Sequence, residues 1–182
     1  MASQFQSTKI DVTGYVRTPQ GTTAQRPGHT VIQWTNTGSQ SFSVLTGSTP
    51  TLTNTSWTAP TGVTRVEVLV VAGGGGGGGS ESGGGGAGGL IYNSNYAVTP
   101  GSAYTVTVGT GGAGGSGVAG SNGSNSVFAA LTAVGGGGGG YVNVNNAAPG
   151  GSGGGGGRTS SVMCFGGLAT AGQGNVGGTG YN

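Results

Sequence analysis

After Ala72 the chain runs into seven consecutive glycines, Gly73 to Gly79, and glycine dominates everything that follows. Glycine-rich tracts occupy 73–89, 109–123, 135–140, 150–157 and 166–180. A run without side chains has no hydrophobic face. It can enter neither an amphipathic helix nor a half-buried strand of the ordinary kind, and its backbone N–H and C=O groups must find partners elsewhere. Of the 48 glycines only six precede residue 73, namely Gly14, Gly21, Gly28, Gly38, Gly47 and Gly62. This change in composition sets a boundary near residue 60. It divides the chain into an N-terminal region, 1–55, read as an attachment and oligomerisation arm, and a glycine-rich domain, 56–182.

Two readings of the tracts compete. Glycine-rich segments can be flexible linkers that behave as random coils. Against this, the tracts follow directly on apolar strands, as in Val70-Val71-Ala72-Gly73 and Ala133-Val134-Gly135, and they are nearly free of the charged residues that solvate linkers. A collagen-type repeat is excluded, because glycine does not recur strictly at every third position. The alternative is a set of polyproline II-type polyglycine helices, with three residues per turn and no internal hydrogen bonds. Packed side by side, such helices satisfy one another laterally, and their lack of Cβ atoms lets the backbones approach. Fixing glycine is entropically costly, so a bundle of this kind needs strands to anchor it.

Those strands are legible from period-two patterning. Candidates are Lys9–Val16, His29–Thr35 and Gln40–Thr46 in the first region. In the second, Thr64–Ala72 places Val66, Val68 and Val70 on one face, and Ala103–Val108 places Tyr104, Val106 and Val108 together. Ser126–Val134 is a third candidate there. Arg17–Gly28, with Pro19, Gly21, Pro27 and Gly28, reads as an extended connector. Thr99-Pro100-Gly101-Ser102 carries the type II turn signature. No helical periodicity of useful length occurs. The expected fold class is all-β: small β-sandwich strands combined with packed polyglycine helices, preceded by a β-rich N-terminal arm.

Charge and motifs narrow the function. Charged residues make up 4% of the chain and the net charge is +2. So few bases cannot neutralise several phosphates, which argues against nucleic-acid binding. The apolar stretch Val66–Ala72 is far short of the ~20 residues a bilayer span requires, so membrane insertion is not expected. The N-terminal Met-Ala-Ser-Gln lacks the basic and apolar regions of a signal peptide. His29 is the only histidine and has no cysteine, carboxylate pair or second histidine beside it. Cys164 lacks a partner base and reads as a small core residue. Arg65 and Glu67, two apart on a strand, read as a solvated pair. Gly172-Gln173-Gly174-Asn175-Val176-Gly177 matches a dinucleotide fingerprint by spacing, but no helix and no later acid follow it. No catalytic, cofactor-binding or metal residues are assigned, and no enzymatic activity is expected.

The stretch from Ser56-Trp57-Thr58-Ala59-Pro60 through Val66-Glu67-Val68-Leu69-Val70-Val71-Ala72 and the seven glycines resembles the opening of the glycine-rich domain of phage tail-fibre and virion proteins and of some bacterial surface proteins. The likeness continues at Val98–Gly109, Gly120–Phe128 and Thr170–Asn175. Gly21-Thr22-Thr23-Ala24-Gln25-Arg26-Pro27-Gly28 separately resembles a connector of phage fibre proteins. The resemblance implies a particle protein, commonly trimeric, on the outer surface of a virion's tail or head, with other virion proteins and a host cell-surface receptor or glycan as partners. A tail fibre or adhesin is the leading expectation and a capsid decoration protein or head fibre the alternative, with a bacterial surface protein a third class that the lack of an export signal weakens. Because polyglycine is chemically blank, contact with the host is expected from inter-tract loops in which tyrosine and asparagine cluster. These are Tyr92, Asn93, Asn95 and Tyr96 in one, and Tyr141, Asn143, Asn145 and Asn146 in the other.

Overall fold

The structure, a computed structural model, describes residues 8–17, 23–34, 42–44, 56–142, 146–158 and 163–180, with side chains from residue 56 onward. No helix occurs among the described residues, and nine strands do. They are β1 (Thr8–Arg17), β2 (Thr23–Trp34), β3 (Phe42–Val44), β4 (Ser56–Thr58), β5 (Arg65–Val71), β6 (Leu90–Ala97), β7 (Ala103–Thr107), β8 (Ser126–Phe128) and β9 (Leu131–Ala133). The chain forms two compact units, one of residues 1–70 and 92–106, the other of 71–91 and 107–182.

The first unit holds a five-stranded sheet in the order β3-β2-β1-β5-β6. β1 pairs antiparallel with β2, Lys9 opposite Gln33 and Arg17 opposite Thr23. Much of the expected connector is therefore strand: residues 23–28 belong to β2, and 18–22 lie outside the described residues. The register shifts between Thr13 and Tyr15. Pro27 falls opposite that irregularity, where its missing N–H does not interrupt a ladder. β1 also pairs with β5, Thr8 opposite Val70 and Asp11 opposite Glu67. β5 alternates as its sequence demands, with Val66, Val68 and Val70 buried. β4 pairs with β7, bringing Trp57 opposite Tyr104 with their rings 5.9 Å apart. Trp57, Ala59, Val98 and Val106 add to this core. The turn before β7 is as expected: Gly101 lies at φ 79° and the Ser102 amide donates to the Thr99 carbonyl at 3.1 Å.

In the second unit the glycine tracts are ordered and bonded to one another. The amides of Ala72, Gly75 and Gly78 donate to the carbonyls of Gly89, Gly86 and Gly83. Those of Gly73, Gly76 and Gly79 donate to Ser124, Ser121 and Val118. The carbonyls of Gly74 and Gly77 accept from Gly112 and Gly115, and those of Gly73 and Gly76 accept from Gly136 and Gly139. Every partnership recurs at the third residue. Residues 73–79 are thus enclosed by four neighbouring segments, two antiparallel and two parallel.

The same period governs where side chains are allowed. A Cβ on Gly73 or Gly76 would lie 2.0 Å from a carbonyl oxygen of the neighbouring 110–113 segment, and one on Gly75 2.1 Å from Gly137 O. Residues 135–140, buried throughout, are all glycine. On 83–89, by contrast, the row Gly84, Ala87 and Leu90 is exposed, and a Cβ on Gly84 meets nothing within 4 Å. On 118–126 only Gly120 and Gly123 face inward with Ser126, and the other two rows carry Val, Ala, Ser and Asn. Within 73–79 the rows of Gly73/Gly76/Gly79 and Gly75/Gly78 leave no room for a Cβ, whereas one on Gly74 or Gly77 would make only ordinary contacts at 3.6 and 3.8 Å.

Where a backbone carbonyl cannot reach, asparagine continues the register. Asn122 and Asn125, three apart, accept through Oδ1 from the amides of Gly138 (2.8 Å) and Gly135 (2.9 Å). The single strand expected over Ser126–Val134 is instead the hairpin β8–β9, with Phe128 opposite Leu131. Its turn residue Ala129 takes φ 52°, a conformation that no glycine or asparagine announced. Phe128, Ala133 and Cys164 are buried here, the cysteine in the core role read for it.

Candidate interaction surface

Tyr92, Asn93, Asn95 and Tyr96 do not form an inter-tract loop. They lie on β6, at one edge of the five-stranded sheet. Asparagine is depleted in strands, and its density here disguised an eight-residue strand. Tyr92 is exposed and Tyr96 half-buried. The Tyr92 hydroxyl donates to Glu67 Oε1 on the adjacent strand, and Arg65 Nη1 donates to the Asn95 carbonyl at 3.4 Å. Arg65 and Glu67, read as a solvated pair, are thus each tied to β6. Asn93 Oδ1 accepts from the Asn95 amide at 2.9 Å, so a side chain occupies an N–H of this edge strand.

The bond to Glu67, with smaller contributions from desolvation and the carboxylate charge, raises the Tyr92 pKa above the ordinary tyrosine value of 10.0. The neutral phenol is the form the fold favours. Its contribution to the first unit is present below about pH 10 and fades as pH rises through the folded-state pKa. Glu67→Gln should return Tyr92 ionisation toward that of a free tyrosine, as followed by phenolate absorbance against a Tyr92→Phe reference. An unmoved titration would show that Glu67 does not control it.

Tyr141 follows tract 135–140 and is half-buried, while Asn143 and Asn145 lie outside the described residues. The turn it opens has company. Tracts 73–79, 109–115 and 135–140 run parallel, so the turns Ser80–Ser82 and Ser116–Val118 leave from the same end as Tyr141. The Gly79 amide donates to Val118 O at 3.0 Å, linking two of them. Arg158, at the end of tract 150–157, bonds to the first of them: its amide donates to Glu81 O at 2.8 Å, and its Nη1 lies 2.7 Å from Glu81 Oε1. Both side chains of this ion pair are more than half exposed, so the pair stabilises by only about 0–1 kcal/mol. Its effect is to tie the end of tract 150–157 to the turn at Glu81. The end of the lattice therefore presents Ser80, Glu81, Val118, Tyr141 and Arg158 on one surface.

Sequence reasoning missed several residues. Gln173, noted in a chance nucleotide motif and in the Thr170–Asn175 resemblance but given no role, is a clamp: its Oε1 accepts from the Val134 amide (2.8 Å), its Nε2 donates to Thr132 O (3.1 Å), and its carbonyl accepts from Leu90 N (3.1 Å). The Asn122/Asn125 spacing of three was the available signal for the lattice register. Exposed Phe165, Leu168 and Val176 were also unmarked. Among the described residues no three of His, Cys, Asp or Glu gather to hold a metal ion. His29 sits in β2 opposite Thr13, and its side chain is not described.

The fold and this surface define a β-rich protein with a unit held together by glycine backbone. The chain belongs to the glycine-rich domain family, whose model matches residues 48–182. No curated protein and no solved structure matches it.

Proposed function

We propose that the chain is a structural protein of a bacteriophage virion, a tail-fibre or adhesin component whose glycine-rich domain faces outward and meets the host surface. The observation that carries this reading is the gathering of the turns at one end of a bundle whose interior is largely backbone. The glycine tracts act as polyglycine II-type helices. The three-residue recurrence of their lateral hydrogen bonds supports this, as does the placing of every glycine from Gly73 to Gly79 outside the left-handed region. The enclosed rows of such a bundle present no side chains, so in this reading recognition falls to its turns and to the exposed Tyr92. Residues 1–55 attach the protein to other virion proteins and assemble it, in our reading as a trimer. The sequence resemblance of Gly21–Gly28 to a phage-fibre segment, although 23–28 is strand in the fold, fits this assignment.

Adsorption of assembled particles to host cells tests it. Two variants, Val118→Ala/Tyr141→Ala and Tyr92→Ala/Tyr96→Ala, separate the turns from β6. A tyrosine at the centre of a contact contributes about 2 kcal/mol or more, so the responsible pair should lower binding by roughly thirtyfold. Undiminished adsorption by both, with normal incorporation, would overturn the adhesin reading and favour a capsid decoration protein or head fibre. Labelling the protein in intact particles then distinguishes head from tail.

A further inference from the structure

Asn122-Gly123 is the one Asn-Gly pair in the sequence. Asparagine followed by glycine is the dipeptide most open to attack by the following amide, because glycine puts no side chain in the way. In the folded protein three hydrogen bonds hold the reacting atoms. The Gly123 amide, the nucleophile, donates to Gly136 O at 2.9 Å. The Asn122 carboxamide, the electrophile, accepts from Gly138 N at 2.8 Å and donates through Nδ2 to Pro149 O at 3.2 Å.

We propose that Asn122 is a spontaneous modification site kept unreactive by closure of the glycine lattice, so that its conversion is a one-way record of lattice opening. When the segment opens, the Gly123 nitrogen loses its proton to base and bonds to Cγ of the Asn122 carboxamide. The Cγ–Nδ2 bond breaks, and that nitrogen leaves as ammonia after taking up a proton. Water then opens the succinimide at either carbonyl, giving aspartate or isoaspartate. Nothing beyond water and base is needed.

Neither product re-enters the lattice intact. Aspartate keeps an acceptor for Gly138 N but loses the donor to Pro149 O, leaving two oxygens facing each other. Isoaspartate inserts a methylene into the backbone. The residues on its two sides then fall out of the shared three-residue register with 73–79 and 136–139.

The full-length protein, incubated at mildly alkaline pH in native buffer and in urea sufficient to abolish its circular dichroism, tests this by peptide mapping. The mass gain and isoaspartate content at 122–123 should accumulate first in urea. In native buffer they should form roughly tenfold or more slowly, the suppression given by an opening free energy of about 1.4 kcal/mol or above. Equal rates in the two conditions, or conversion in urea at other asparagines ahead of Asn122, would overturn the proposal. Protein converted in urea, refolded and isolated should melt below the parent. An unchanged melting temperature would overturn the register argument.

Discussion

Gly76→Val should destabilise the second unit by about 3–5 kcal/mol. The added Cβ would stand 2.0 Å from the carbonyl oxygen of Ala113 and 2.8 Å from Gly114 N. Both are backbone and cannot swing aside. Overpacking alone costs about 1–3 kcal/mol in a close-packed core. Moving the neighbour also strains the bonds from Gly76 N to Ser121 O and from Gly139 N to Gly76 O, each contributing about 0.5–1.5 kcal/mol. Against a total domain stability of about 5–15 kcal/mol this is a severe loss, read as a large fall in melting temperature. Gly84 supplies the contrast. Its Cβ would meet nothing within 4 Å and its backbone is not left-handed, so Gly84→Ala should be neutral or stabilise by about 0.4–1 kcal/mol through the unfolded chain. Equal effects from the two substitutions would show that the tracts are not packed.

Removing both asparagine acceptors, Asn122→Ala with Asn125→Ala, should cost about 2–6 kcal/mol, since each leaves an amide without a partner at about 1–3 kcal/mol. Those amides belong to Gly138 and Gly135, both buried. Each single variant should show about half the effect. Chemical denaturation of the three variants checks it. A double variant that unfolds like the parent would mean that water replaces the side chains.

The strands carried by hydrophobic alternation were legible in the residues themselves. β5 and β7 lie where Val66, Val68, Val70 and Val106 put them, and the turn at Gly101 follows from Pro-Gly chemistry. β6 and the β8–β9 hairpin were not. β6 is written in Tyr and Asn, residues whose chemistry reads as loop, and Ala129 occupies a positive φ that its type does not signal. The ordering of the tracts was expected from their junctions with strands, yet the row-by-row pattern in them was overlooked. Ser121-Asn122-Gly123-Ser124-Asn125-Ser126 has its small inward residue at every third position, and the all-glycine Gly135–Gly140 marks a fully enclosed segment. The candidate surface was only partly readable. Tyr141 lies where tract 135–140 ends, but the Arg158–Glu81 pair and the Gly79–Val118 bond at that end are tertiary contacts that no local spacing encodes.

A core made of peptide groups has a thermodynamic signature of its own. Unfolding an ordinary domain hydrates apolar side chains and raises the heat capacity, whereas hydrating polar surface lowers it. Among the described residues the second unit encloses backbone at Gly135–Gly140 and few large apolar groups besides Phe128. Its heat-capacity increment per residue therefore falls below the usual ~12–15 cal/mol/K. With a small increment, the free-energy curve flattens: stability varies little between cold and warm water, and the unit loses less on cooling than one held by hydrophobic burial. The glycine lattice thus substitutes a nearly athermal scaffold for an oily one.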